Sequence, residues 1–336
     1  MKGSKTQKSL KLLSTNLKIR LFMGLWMVLN GLILFPLHAQ VHPPVPSVLT
    51  LPSGCRLGEG AFWDSQRNCL WFVDIESGKV HRYIPSSKTE TRFDCGMRIG
   101  TLVPASLSEE LILGLQDGIY SVSLDGKTKK KIHQPATLSS DQRLNDGKCD
   151  PQGRLWVGSM NLDQRPKQAH LYRLDHTGNS ENVLDSVSIS NGVVWTKDGK
   201  TMYYIDTPTR KVMAYDFNGT TGAISNPRVH CITPDSLGWP DGMTLDENDD
   251  LWIGMWGGYC VSHWSGKTGQ YLGKVAVAAP NVTSCAFGGE KFDILYITSA
   301  REGLGQDLLQ KFPLSGNVFE AKPGVKGRQM PYWKSK

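Results

Sequence analysis

Six short apolar runs recur along the chain, each following a polar phrase and a tight turn. They are Leu70-Trp71-Phe72-Val73, Leu111-Ile112-Leu113-Gly114, Leu155-Trp156-Val157-Gly158, Met202-Tyr203-Tyr204-Ile205, Leu251-Trp252-Ile253-Gly254 and Leu295-Tyr296-Ile297-Thr298. Their first residues stand 41, 44, 47, 49 and 44 positions apart. Runs this short, rich in aromatic and β-branched residues and bounded by Gly, Asp and Asn, read as buried strands. Hairpin turns are expected at Asp125-Gly126, Asp198-Gly199, Asn218-Gly219 and Ser265-Gly266, where such pairs favour left-handed backbone. A period of about 40 to 50 residues made of strands and turns, with no helical pattern between, is the signature of a β-propeller. Six copies predict an all-β, six-bladed β-propeller.

Blades surround a central channel, so equivalent positions in successive repeats form a ring about one axis. Four positions before the aligned strand residue, the repeats place Glu59, about Thr101, Asn145, Asn191, Asp241 and Thr283. Asn or Asp before Gly also suits a turn, so each of Asn145, Asn191 and Asp241 alone has a purely local explanation. Glu59 in the same register does not. Two carboxylates with one or two amide oxygens suit a hard divalent cation, Ca²⁺, Mg²⁺ or Mn²⁺, and Zn²⁺ less naturally because no His or Cys joins them. A cation also removes the desolvation and repulsion cost of burying two carboxylates together.

The N-terminus carries a different pattern. Residues 1–20 hold six Lys or Arg and no acid, and an apolar run from Leu21 to Pro36 leads to Leu-His-Ala ending at Ala39. A basic segment, a short apolar segment and a small residue read as a secretory signal peptide over 1–39, removed before residues 40–336 fold as one domain; an uncleaved membrane anchor is the alternative. The destination is then secreted or periplasmic, with no stable membrane insertion after cleavage. Of the net charge of +7, residues 1–39 supply six, leaving about +1 and removing the electrostatic argument for a nucleic-acid partner. The seven cysteines form no C-x-x-C pair, so neither a thiolate zinc site nor an obligatory disulfide is expected. Gly266-Lys267-Thr268 lacks the first glycine of a phosphate loop, because position 261 is Val261, and no G-x-S-x-G elbow occurs.

Leu57-Gly58-Glu59-Gly60, the stretch from Arg143-Leu144-Asn145-Asp146-Gly147-Lys148 to Arg154, Ile189-Ser190-Asn191-Gly192 and Pro240-Asp241-Gly242-Met243 resemble, in order, the motifs of the regucalcin, gluconolactonase and luciferin-regenerating-enzyme-like family. The resemblance spans essentially the whole mature chain. It implies one divalent metal, Ca²⁺ first among the candidates, held by residues matching Glu59, Asn191 and Asp241, with Arg143 and Asn145 contacting substrate. A further acidic substrate contact has no clear match, and Asp163 is the nearest candidate.

The expected activity is a metal-dependent hydrolase opening a small sugar lactone such as an aldonolactone. Asp241 is expected to act as base as well as ligand, with Asp146 as the other candidate because it neighbours the ring. An aryl-ester or phosphoester hydrolase on the same scaffold, and a non-enzymatic calcium-binding propeller, are the rival readings. The leader makes one prediction: N-terminal sequencing of the natural protein gives a start just after Ala39, and a natural chain beginning at Met1 would contradict it.

Overall fold

Each repeat folds as a four-stranded antiparallel sheet, and six such sheets form a ring. The structure, a computed structural model, describes residues 41–106 and 108–334; the leader read at 1–39 lies outside them. The innermost strands of blades one to six are Gly58–Asp64, Ile99–Pro104, Gln142–Cys149, Ser190–Trp195, Trp239–Leu245 and Asn281–Gly288. Each packs on the innermost strand of the next blade, and the circuit closes from the sixth back to the first. Inner strands are buried along nearly their whole length, whereas the outermost strands Thr89–Asp94 and Lys129–His133 are largely exposed. The apolar runs of the sequence are the second strands, continuous rather than alternating because neighbouring blades cover both faces.

The sixth blade takes its fourth strand from the other end of the chain. Val48–Leu51 pairs antiparallel with Val318–Ala321, and just before it Val45–Pro46 adds in parallel to Tyr271–Ala276 of the fifth blade. The C-terminal tail ties the ring on the face where the inner strands end. Gly327 bridges Asp246 of blade five and donates its N–H to Phe292 O of blade six. Arg328 Nη2 donates to Trp195 O of blade four, Gln329 Nε2 to Trp63 O of blade one, Trp333 bridges Ala105 just after the inner strand of blade two, and Lys334 N–H donates to Gly153 O of blade three.

Alternate blades carry one repeated device that pattern reading did not anticipate. Trp71, Trp156 and Trp252 donate Nε1–H to Asp64, Asp150 and Asp246, whose other oxygens accept backbone N–H groups of the following turn. On the third strand, the residues opposite these tryptophans are Arg82, Arg173 and His263, which cover the indole faces. The grouping of Asp246, Asp250 and His263 is therefore the fifth blade's version of a structural cap. Between blades, Trp63 stacks on Tyr296 at 5.4 Å and Trp156 meets Trp195 edge-on at 5.5 Å, so these aromatics are packing elements. All seven cysteines are buried separate thiols. Two of the expected turns hold, with Gly126 and Gly199 left-handed; after Asn218 and Ser265 the left-handed residue is instead Gly222 and Gly269, each donating back to the turn's first carbonyl.

Register settles one position. Pro104 pairs with Leu111, so four residues earlier the ring position of blade two is Gly100 and not Thr101, whose hydroxyl is spent on Gly147 O. A Cβ at Gly100 would stand 2.2 Å from Leu144 O, so only glycine lets strands two and three meet there. Gly100→Ala should cost about 3 kcal/mol of stability through forced strand separation. Urea unfolding checks this, and a loss under about 0.5 kcal/mol, the range of an ordinary surface change, would show that the strands part freely.

Candidate active site

All six inner strands run the same way, so residues near their starts share one mouth of the channel. At that end every inner strand breaks register with its neighbour: between Glu59 and Phe62, Ile99 and Thr101, Leu144 and Gly147, Asn191 and Val193, Pro240 and Met243, and Val282 and Cys285. Such bulges re-aim side chains out of the ladder. Here they release Asn145, Asp241 and the start of strand one toward the axis. Glu59, Arg143, Asn145, Asn191 and Asp241 all line a single cavity of about 570 Å³. Thr283 contributes nothing to it, because its hydroxyl donates to Gly58 O and joins Thr298.

A chain of hydrogen bonds sets the orientation of these groups from blade three to blade five. Arg143 Nη1 donates to Asn145 Oδ1; Asn145 Nδ2 donates to Asn191 Oδ1 at 3.0 Å and to Ser190 O at 2.7 Å. Asn191 Nδ2 then donates to Thr207 Oγ1 at 2.7 Å, and Thr207 Oγ1 donates to Pro240 O at 2.8 Å, next to Asp241. The amide of Asn191 is thus held with its oxygen toward Asn145. Arg143 uses only Nη1 within the protein among the described residues, so its remaining donors are available to the cavity.

The carboxylates are crowded. Glu59 Oε2 accepts the N–H of Gly60 at 2.7 Å, and its carboxyl touches that of Asp241. Burial first, then the charge of Asp146, pushes Glu59 up to about 7; burial first, then Glu59 and Asp146, holds Asp241 well above the usual carboxylate range. Burial lowers Arg143 to about 10 against the pull of Glu76, Glu59 and Asp241, so it remains a cation at neutral pH.

Asp146 does not line the cavity. Its Oδ1 accepts the N–H of Gly147, while its buried Oδ2 has no hydrogen-bond partner among the described residues and faces Lys148 Nζ at 3.9 Å. Asp163 is placed away from the site: it lies in the turn after Leu155–Asn161 with its side chain 80% exposed, and its neighbours Leu162 and Gln164 reach the cavity instead. The acids that do line the cavity, besides the ring residues, are Glu76 and Glu302, paired with Arg98 and Arg56. Both stand two residues beyond the end of a second strand, which runs back to the same mouth. The same offset in two repeats was the available signal for them.

Comparison with known proteins accords with this geometry. Residues 57–301 match the family model described as SMP-30/Gluconolactonase/LRE-like region. The Bacillus subtilis protein YvrE, assigned as a sugar lactone lactonase, is 36% identical over 283 residues, covering 84% of this chain and 97% of that protein. A pentonolactonase of Haloferax volcanii is 34% identical over 74% of this chain and 83% of its own. The solved structure of a luciferin-regenerating enzyme superposes with a TM-score of 0.80 at 32% identity, covering 84% of this chain and 96% of the other. The match runs from the first inner strand to the last blade and includes every ring residue that lines the cavity, so the chain belongs to the SMP-30/gluconolactonase/LRE-like family.

Proposed function

We propose that this protein is a divalent-metal-dependent hydrolase that opens the ring of a sugar lactone. The observation that carries the reading is the buried Glu59 and Asp241 pair, two carboxyls in contact on a cavity wall beside the free donors of Arg143. The names of the Bacillus and Haloferax relatives support it.

The residues present fit a hard cation. Glu59, Asn191 and Asp241 offer only oxygen donors, Asn191 is pre-oriented by Asn145 and Thr207, and the raised proton affinity of both carboxyls marks a place that favours added positive charge. These three would hold it, with Ca²⁺ first and Mg²⁺, Mn²⁺ or Zn²⁺ as alternatives. When bound, the ion supplies Lewis acidity at the lactone carbonyl.

The chain's own groups do the rest. Arg143 orients the lactone with two donors in one plane, which a point charge cannot do. Asp241, on the cavity wall, takes a proton from a water molecule as the water oxygen bonds to the carbonyl carbon. The ring C–O bond then breaks, and Asp241 returns its proton to the departing ring oxygen, which becomes the hydroxyl of the open acid. Asn145 keeps the guanidinium and Asn191 in register throughout. The leader read in the sequence supports a secreted or periplasmic site for this reaction.

Asp241→Asn keeps an oxygen of similar size but loses basicity. At saturating metal and lactone its kcat should fall by roughly 10²- to 10⁴-fold; full recovery of kcat with excess metal would remove Asp241 from the base role, and Asp146, which does not line the cavity, could not take it over without moving. In parallel, Arg143→Lys should raise KM about tenfold or more while the metal stays bound.

A pH dependence follows from the raised carboxyls. Folded Glu59 and Asp241 hold protons more tightly than they do unfolded, so stability without metal falls as pH rises from about 4.5 through about 7. An added divalent ion relieves the exposed repulsion, so the rise in Tm on adding Ca²⁺ to the chelator-treated protein should be larger at pH 7.5 than at pH 5. Equal shifts at both pH values, or none, would count against metal binding by this pair.

A further inference from the structure

The cavity is larger than the reaction proposed above requires. A six-carbon lactone has twelve non-hydrogen atoms and occupies on the order of 150 Å³ at the density of a close-packed organic solid. The cavity holds about 570 Å³, so a single ring seated at Glu59, Asn191, Asp241 and Arg143 leaves room for at least one more ring of its own size.

What borders that extra room is specific. Trp239 begins the inner strand that carries Asp241, two residues earlier, which places it about 7 Å farther toward the opening. Its register partner on the second strand is Trp256, and both line the cavity. Trp239 is 41% exposed, unusual for an indole in a chain whose other large aromatics are mostly buried. It is nevertheless fixed in place: the Arg210 guanidinium lies 3.7 Å from the ring centroid, held by Gly238 O at 2.7 Å and by Asp235 at 3.0 Å. A rigid indole with a side open to the cavity is a platform for the C–H-bearing face of a sugar ring. Polar groups complete the surroundings. Gln164, on the turn of blade three, lines the cavity with a side-chain amide that has no partner among the described residues, and the Arg56–Glu302 pair stands at the rim. An indole face and hydroxyl-seeking groups on the walls of one cavity suit a glycosyl ring better than an alkyl or aryl tail.

From this we infer that the preferred substrate is a two-ring lactone, the lactone of an oxidised disaccharide, with its second ring on Trp239. The inference rests on the lactonase reading for the first ring and adds a subsite for the second. The reaction that supplies such a substrate oxidises the reducing-end carbon of a disaccharide.

The test compares cellobiono-1,5-lactone with glucono-1,5-lactone on the metal-loaded protein. The two-ring lactone should show at least a tenfold lower KM. Trp239→Ala should shrink the ratio of kcat/KM for two rings over one by at least tenfold, and Trp239→Phe, which keeps an aromatic face, should restore most of it. Equal KM values for the two lactones, or an unchanged ratio in Trp239→Ala, overturns the inference while leaving the hydrolase reading intact. A second arm needs no turnover: cellobiitol should quench intrinsic tryptophan fluorescence at concentrations where sorbitol does not, and the difference should vanish in Trp239→Ala. If neither lactone is opened but this difference is seen, the lactonase reading fails and the subsite stands; if cellobiitol and sorbitol behave alike, the subsite fails.

Discussion

The geometry of the ring depends on how closely neighbouring blades can approach one another. At the crowded points there is no room for a Cβ: one at Gly100 would meet Leu144 O, one at Gly254 would come within 2.4 Å of Thr283 O, and one at Gly158 would overlap the Ser190 hydroxyl. Close packing of this kind leaves few places for a side chain to point inward. The bulges at the strand starts make those places, and the polar residues of the site occupy several of them. A cavity lined by Glu59, Asn145, Asn191 and Asp241 is thus a by-product of a tight ring that opens at one end.

That arrangement explains the unusual electrostatics. In water, two carboxylates would drift apart or be screened; on two rigid strands they cannot. The hydrogen-bond chain from Arg143 to Pro240 removes the remaining freedom, since a rotation at Asn145 would leave Arg143 and Asn191 each short of a partner. Stability is thereby surrendered at one spot of a ring whose core is otherwise apolar and whose alternate blades are capped by Asp–Trp pairs. Function-bearing sites commonly show this local conflict with the rest of the fold.

How much of this was legible in the sequence depends on whether a residue repeats. The strand period exposed the blades, and one register carried Glu59, Asn145, Asn191 and Asp241 to the cavity. It slipped by one residue in blade two, where glycine rather than Thr101 occupies the ring, because a glycine at a crowded point looks in sequence like a turn residue. Asp163 drew attention by charge and position, yet the turn it sits in presents its neighbours to the cavity and sends its carboxylate outward. Glu76, Glu302 and Trp239 lie at strand exits and loop ends, where lengths vary between repeats and no single offset flags all of them. The closing strand Val48–Leu51 was hidden for a different reason: its partner lies at the far end of the chain, and a strand that precedes the first repeat falls outside the period by which the six blades are recognised.

The C-terminal tail has a consequence for how the ring stays closed. By touching all six blades on the face where the inner strands end, it ties each blade to one short segment as well as to its two neighbours. A blade that swings outward breaks a contact with that segment too, so residues that line no part of the cavity help to hold the spacing of the strand starts around it.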